Sequence, residues 1–555
     1  MNAKILLLLL LLFIEKSVSA QLNQTQYQKI DSLFLAWNSP NHPGGVVGIM
    51  KNDEIIFQKA YGLASLEFLV PNTTSTLFNT ASVSKQFTAM GIVLLDIEGK
   101  LSVDDNIKKY IPELPDFEES ITIRHLLHHT SGLRSLHALL ELAGWRDDDT
   151  RTNADLYRIM ANQRDLNFTP GDEYLYCNTG FMYMAKIIET VTSEKFTDWM
   201  KKSVFEPLGM IDTYVEDIYN RVVPQNATSY YGSQKRGFKR AVEYWGYVGS
   251  GNMHATVGDL LKWMANFYKP QSGWEAHFKM LQTLDKFNNG EENTYAFGVG
   301  IGDFNGIKSV GHGGAIGGFR SNVISFPEEA LSIVILTNFS SASPGQKSRA
   351  IAEVILGETK DKAMDMLPGA LKPIKISKEA LKKYEGTYWN DKSNFVQKVY
   401  FNNDTLRYIR ADDSENSLIP TGENEFQILG TSKDIKVTFG LGKNKTMTIT
   451  VDGPSPITSY SFEPIASTKD ELAAYTGKFY SPELETSYTI SLKNDTLFWH
   501  HIRHGDFKMK RIKKDVLKGN WPFNMVKFQR NKKGKVTGIL VSNGRVRNLW
   551  LEKQG

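Results

Sequence analysis

Ser82-Val83-Ser84-Lys85 stands where a loop turns into a strongly apolar helix, which runs through Phe87, Ala89, Met90 and Ile92 to Leu95 and stops at Gly99. That helix is apolar nearly all round, which predicts the buried central helix of its domain. A serine and a lysine three apart share one helix face, so the amine can reach the hydroxyl. A serine hydroxyl is a poor nucleophile until a neighbouring base takes its proton. The pair reads as a nucleophile and its activator. Alone it is weak, because a lysine-rich chain contains Ser-x-x-Lys by chance. Its weight comes from two motifs downstream.

Upstream, Tyr27 to Trp37 has the pattern of an amphipathic helix. Gly44-Gly45 opens the apolar run Val46 to Met50, then the turn Asn52-Asp53, then Ile55 to Tyr61, a β-hairpin by alternation and turn residues. Residues 100 to 290 are mostly helical in pattern. Ala296 to Ile301, Gly318 to Phe326 and Leu331 to Asn338 read as strands, with Pro327-Glu328-Glu329 turning between the last two, and a helix over Ser348 to Ile355 follows. Strands at both ends with helices between them mean that the two ends share one sheet. The fold class is α+β, an antiparallel sheet flanked by helices, and not a doubly wound parallel fold.

Residues 357–375 are polar and proline-containing and read as a linker. Beyond them, strands rich in Tyr, Phe, Val and Thr alternate with Asn/Asp/Gly turns, which predicts all-β modules. The modules repeat. Tyr384-Glu385-Gly386-Thr387-Tyr388 aligns with Tyr475-Thr476-Gly477-Lys478-Phe479, and Asn403-Asp404-Thr405-Leu406 with Asn494-Asp495-Thr496-Leu497, both at an offset of 91 residues. Two small antiparallel β-barrels are expected, over 376–466 and 467–555, each of ordinary small-domain size.

A chain of 555 residues, 41% of them hydrophobic, has length for roughly three or four domains with proper cores. Its 65 basic against 61 acidic residues argue against nucleic acid as the main partner. Residues 1–20 have the form of a signal peptide. Lys4 supplies the positive end, Ile5 to Ile14 the apolar run, and Val18-Ser19-Ala20 the small residues of a cleavage site before Gln21. An uncleaved anchor is the alternative. The expectation is an exported protein, periplasmic or extracellular, with no stable membrane span once the signal is removed. The single cysteine, Cys177, rules out an intrachain disulfide and a cysteine-based metal cluster.

The second motif is Tyr176-Cys177-Asn178, after Pro170-Gly171. A tyrosine beside a lysine ammonium would have its phenolate favoured and could pass protons between Ser82 and a leaving group. Asn178 can donate to a substrate carbonyl and brace Lys85. A loop tyrosine followed by a turn asparagine is the bland alternative. The third motif is Ser309-Val310-Gly311-His312-Gly313-Gly314-Ala315. Glycines this dense suggest close backbone approach to a ligand. The Ala315 N–H can pair with that of Ser82 as an oxyanion hole, worth about 3–4 kcal/mol per donor in acyl transfer. His312 would add a polar or partly cationic group to the site wall. A glycine-rich hairpin explains the same residues if this motif stands alone.

Taken in order, Ser-x-x-Lys, Tyr-x-Asn and His-x-Gly resemble the serine β-lactamase and penicillin-binding-protein superfamily. Within it the chain is similar to the class C β-lactamase-like hydrolases: β-lactamases, D-alanyl-D-alanine carboxypeptidases, D-aminopeptidases and related esterases. Ile121-Thr122-Ile123-Arg124-His125-Leu126-Leu127-His128-His129-Thr130-Ser131-Gly132-Leu133 and Gly99-Lys100-Leu101-Ser102-Val103-Asp104-Asp105 resemble further stretches of these proteins. The resemblance covers about 27 to 356, within a hydrolase domain at 21–356. It implies an acyl-enzyme on Ser82, proton management by Lys85 and Tyr176, and substrate orientation by Asn178, with His312, Gly314 and Ala315 lining the site. His312 stands where true β-lactamases have lysine. Histidine is largely neutral at pH 7, which shifts the expectation toward peptidase or esterase. Cys177 replaces a common serine and, as the middle residue, points away from the site. Appended barrels occur in some D-aminopeptidases and related peptidases of this family, an analogy of architecture only.

Other signals have ordinary explanations. His125, His128 and His129 fit one helix face but lack the His-Glu-x-x-His pattern of a zinc site. His500, His501 and His504 fall on a strand, where surface placement is expected over ligation. Lys508 to Lys514 reads as a solvated strand edge, with an anionic cell-wall polymer as the alternative partner. Arg320 can meet a substrate carboxylate or form a structural ion pair. The expectation is a serine hydrolase without metal or organic cofactor, its partner a small peptide, amide or ester, cell-wall peptides included. The rivals are β-lactam hydrolysis and a catalytically silent binding protein.

Overall fold

The two ends of the first domain meet by antiparallel pairing. The computed structural model describes residues 21–357, 373–390, 395–409, 415–429, 435–451, 456–463, 468–519 and 521–555. The expected signal peptide and most of the expected linker lie outside the described residues. The labelled helices are α1 (Gln24–Ser32), α2 (Ser84–Ile97), α3 (Leu136–Leu142), α4 (Asn178–Thr192), α5 (Val257–Ala265) and α6 (Pro344–Leu356). The labelled strands are β1 (Gly45–Lys51), β2 (Glu54–Tyr61), β3 (Gly300–Phe304), β4 (Ile307–Ile316), β5 (Phe319–Phe326) and β6 (Leu331–Thr337).

The six strands form one antiparallel sheet in the order β3-β4-β5-β6-β1-β2. β1 pairs with β6 from Gly45 opposite Thr337 to Lys51 opposite Leu331, which closes the domain on itself. Asn52 and Asp53 both have positive φ, 49° and 66°. That is the type I′ geometry whose twist suits a two-residue hairpin. β6 is buried along its whole length because helices cover both faces. α5 packs on one side, and α6 with α1 on the other. α4 crosses α2, whose side chains are buried from Ser84 to Val93, so the expected central helix is present.

Several boundaries differ from the sequence reading. The strand expected at Ala296–Ile301 starts at Gly300. Ala296 and Phe297 are buried in a turn closed by the Ala296 N–H to Val299 carbonyl bond, so apolarity there reflects burial and not extension. The first helix is α1 followed by a short 3₁₀ turn, Leu35–Asn38, in place of one run. The region 100–290 also holds short strands, among them Tyr214–Val215 and Met253–Ala255.

Two closed barrels of eight strands each follow. Each begins with a short helix, Lys378–Lys382 or Lys469–Ala473, and a first strand at Gly386–Asn390 or Gly477–Ser481, so the repeat seen in the sequence is structural. The paired Asn-Asp turns at 403–404 and 494–495 all have positive φ, as at 52–53. Lys508 to Lys513 of the basic run fall in the strand Gly505–Lys513, which is paired on both sides in a closed barrel and is not an edge. Closure leaves no edge to protect. Arg511 instead pairs with Glu471 at 2.8 Å, and Lys513 lies over the Trp389 ring of the first barrel. His501 is also buried, not on the surface. Its ring lies tilted against that of Tyr488, with centroids 4.7 Å apart, and bonds Thr486.

The second barrel shares its hydrophobic core with the first domain. Across that junction Arg134 and Glu483 form an ion pair at 2.6 Å with both side chains about 1% exposed. Tyr488 donates to the Leu142 carbonyl at 2.7 Å, and Asn543 to that of Ala138. The last hairpin, β7 (Val536–Asn543) and β8 (Val546–Lys553), thereby lies against α3.

Candidate active site

Ser82 occupies a 3₁₀ turn, Ala81–Val83, that feeds α2. Ala81 has φ of 53°, unfavourable for a residue with a side chain. Such strain persists only where the surroundings over-determine it. Here Asn79 Oδ1 accepts the Ala81 N–H at 2.9 Å, Ser84 donates to the Ala81 carbonyl at 2.6 Å, and Ser321 donates to the Thr80 carbonyl at 2.7 Å. β4 crosses this turn at Gly314. A Cβ there would lie 2.2 Å from Ser321 Oγ and 2.3 Å from the Thr80 oxygen. The glycine thus lets the strand touch the nucleophile turn.

The Lys85 Nζ lies 3.2 Å from Ser82 Oγ and donates to the Ser250 carbonyl at 2.6 Å. Lys85 is fully buried. Desolvation, helped by the positive charge of Arg545, holds its pKa well below the usual lysine value. The amine is therefore biased toward its neutral form, which has a lone pair to accept a proton. It also sits 4.9 Å from the centre of the Tyr176 ring.

This reverses one expectation. The Tyr176 phenolate is not favoured by a lysine ammonium. Burial pushes the phenol well above its ordinary pKa, outweighing the opposing effects of Ser82 and Arg545. Its hydroxyl is buried without a well-formed hydrogen bond, although Ser82 is near enough to bear on its ionisation. Tyr176 is a protonated donor in waiting. Asn178 does not brace Lys85 either. Lys85 turns to Ser250, and the Asn178 amide oxygen is buried without a partner.

His312 lies on β4. Its Nδ1 faces the Gly313 carbonyl at 2.6 Å, so Nδ1 carries the proton, and Nε2 accepts from the Tyr295 hydroxyl at 2.9 Å. Desolvation, with Lys85 adding repulsion, takes its pKa down to about 4. Both nitrogens are engaged and the ring is neutral, so of the two characters expected there, polar or partly cationic, His312 has the polar one. Ala315 lines the same cavity as Ser82 and Asn178. Cys177 is buried and donates to the Leu133 carbonyl at 3.3 Å, away from the nucleophile. Arg320 caps the β4–β5 turn through the Gly317 and Phe319 carbonyls, a structural role. His128 and His129 meet different partners, the Tyr295 carbonyl and the Cys177 N–H.

The cavity above Ser82 has a volume of about 230 Å³ and is lined also by Arg151, Tyr247, Ser250 and, from the second barrel, Arg545. The sequence reading missed Ser250, Tyr295 and Arg545. The glycine-dense run Gly249-Ser250-Gly251-Asn252 was a usable signal for the first. Nothing local marks the other two.

Fold and site together define a protein of the serine-hydrolase type, with a desolvated amine beside a strained serine turn. The Beta-lactamase family profile matches residues 28–356, and the chain belongs to that family. It is 28% identical over 313 residues to a D-aminopeptidase of Gluconobacter oxydans, covering 56% of this chain and 59% of that protein. It is 26% identical over 451 residues to penicillin-binding protein 4* of Bacillus subtilis, covering 78% of this chain and 98% of that protein. The octameric penicillin-binding protein homologue from Pyrococcus abyssi shares the fold, with TM-score 0.55 and 23% identity over 78% of this chain and 99% of that one. The chain thus spans about three-fifths of the D-aminopeptidase and nearly all of the penicillin-binding protein.

Proposed function

We propose that this protein is an exported serine hydrolase that forms an acyl-enzyme on Ser82 and cleaves peptides or amides containing D-amino acids, with small esters as a second substrate class. The observation that carries the reading is the 3.2 Å approach of a buried, deprotonation-prone Lys85 amine to Ser82 Oγ. Similarity to the D-aminopeptidase supports the substrate class. The positive residue, apolar run and small residues of 1–20 support export to the periplasm or exterior.

In the reaction, Ser82 Oγ attacks the substrate carbonyl carbon while its proton passes to Lys85 Nζ. The oxyanion is met by the backbone N–H groups of Ser82 and Ala315. The Tyr176 O–H supplies a proton to the departing nitrogen or oxygen and is restored by the proton that Lys85 took from Ser82. The C–N or C–O bond breaks, leaving an ester on Ser82. Water then attacks that ester, giving its proton to Lys85; the C–Oγ bond breaks, Lys85 returns that proton to Ser82 Oγ, and the acid leaves. Asn178 orients the substrate carbonyl or amide.

The test is a screen of purified mature protein against D-aminoacyl amides, D-Ala-D-Ala peptides and p-nitrophenyl esters, with Ser82→Ala alongside. Turnover by the wild type and none by the variant is expected. Equal turnover by both overturns the assignment.

A further inference from the structure

The family resemblance would place a fixed lysine charge at position 312, and this chain has a neutral histidine there. The charge is not lost from the cleft. Arg545 sits in the turn between β7 and β8 of the second barrel, on the wall of the Ser82 cavity. Its guanidinium lies 4.9 Å from the centre of the Tyr176 ring. Its main chain is fixed to the catalytic domain: its carbonyl accepts from the Ser135 N–H at 3.3 Å and from Asn167 Nδ2 at 3.1 Å. The same Asn167 accepts the Arg547 N–H at 2.7 Å. The turn is clamped, so the side chain is aimed.

The other cation of the cavity, Arg151, is already held by its own partners. Arg151 donates to the Arg146 carbonyl and faces Asp147 and His137. Glu141 feels Arg545 electrostatically, yet no ion pair within 4 Å joins Arg545 to any carboxylate among the described residues. Glu173, the nearby acid of the same junction, is taken by Arg547 at 3.0 Å. A second cavity, of about 320 Å³, continues past Arg545, His137 and Glu141 to Trp521 on the barrel. A substrate reaching from the Ser82 cavity into the second one would pass Arg545, which lines both.

We propose that Arg545 is a specificity-determining residue that receives a carboxylate of the substrate, so that the second barrel supplies the anion-binding charge absent from the third motif. This rests on the acyl-transfer reading of Ser82. An unpaired guanidinium beside a low-dielectric wall suits a planar carboxylate, which it can meet with two parallel N–H donors. The carboxylate can belong to the acyl half or to the leaving group, and the test separates them.

The experiment measures kcat/KM for two matched pairs. D-Alanyl-D-alanine against D-alanyl-D-alaninamide varies charge in the leaving group. p-Nitrophenyl glutarate against p-nitrophenyl valerate varies it in the acyl group. Each is run with wild type, Arg545→Ala, Arg545→Lys and Arg545→Glu, with thermal melts to establish folding and with mass detection of the Ser82 adduct. The wild type should favour the anionic member of at least one pair by ~10–100-fold, the range of a charge-assisted hydrogen bond. The preference should vanish in Arg545→Ala, survive partly in Arg545→Lys and invert in Arg545→Glu. Anionic-to-neutral ratios that are the same in all four proteins overturn the assignment. Absence of any Ser82 adduct in the wild type is a different failure. It ends the acyl-enzyme reading, and the role of Arg545 with it.

Discussion

Arg134 of the catalytic domain and Glu483 of the second barrel are paired at 2.6 Å with almost no exposure to solvent. Arg134 also bonds Gln163 and the Arg547 carbonyl, and Glu483 accepts the Arg164 N–H. The pair therefore joins the loop before α3 to the barrel whose last turn walls the cleft. Removing one member of a buried pair strands the other charge, which costs about 3–5 kcal/mol. Glu483→Gln should lower the denaturation midpoint of the catalytic domain and barrel together and reduce turnover. A double replacement by apolar residues should recover much of the stability, as measured by chemical denaturation.

Lys85 gives a pH prediction with a definite sign. Acylation needs the neutral amine, so kcat/KM should rise as pH rises through the folded pKa of Lys85. Because burial and Arg545 depress that pKa, the rise should fall well below pH 10.5, the unperturbed lysine value. Arg545→Ala removes a repulsive cation, stabilises the ammonium and should move the inflection to higher pH. Lys85→Met should lower kcat by about 10²–10⁴-fold, the usual contribution of a positioned base. The pH–rate profile of a neutral ester substrate checks all three.

Gly314→Ala tests the contact between β4 and the nucleophile turn. The added methyl meets the Thr80 carbonyl and Ser321 side chain well inside contact distance. Overpacking of this kind costs about 1–3 kcal/mol, and here it also displaces Ser82 from Lys85. Loss of kcat out of proportion to loss of stability is the expected result, from paired kinetics and melting.

Glu243 lies under the Gly317-Gly318 turn, bonded to Ser229, and desolvation raises its pKa from 4.5 to about 7. The folded state holds this proton more tightly than the unfolded chain does. Its contribution to stability is therefore complete below pH 4.5 and is lost as pH rises through about 7. Glu243→Gln keeps the neutral shape and should flatten that decline, which thermal melts between acid and neutral pH would show.

Much of this was legible beforehand for a physical reason. The Asn-Asp turns carry their own geometry, so the hairpin at 52–53 and the barrel repeat at 403–404 and 494–495 could be placed from local chemistry alone. The helix behind Ser82 is buried on all sides and its composition says so. What failed depended on neighbours distant in sequence. The charge states of Lys85 and Tyr176 follow from desolvation, which no local pattern encodes. The inward turn of Arg545 depends on how the barrel docks, settled by Arg134, Asn167 and Tyr488 together. The basic strand 505–513 looked like an edge because closure of the barrel is a property of all eight strands.

In the proposed reaction Ser82 becomes esterified with help from a neutral Lys85. Rapid quenching of wild-type protein with a D-aminoacyl or p-nitrophenyl ester, followed by intact-mass and peptide-level mass spectrometry, reads this directly. An acyl adduct is expected on the peptide containing Ser82, absent from Ser82→Ala and strongly slowed in Lys85→Met. An adduct located on another residue, or one formed at the same rate without Lys85, would contradict that reaction.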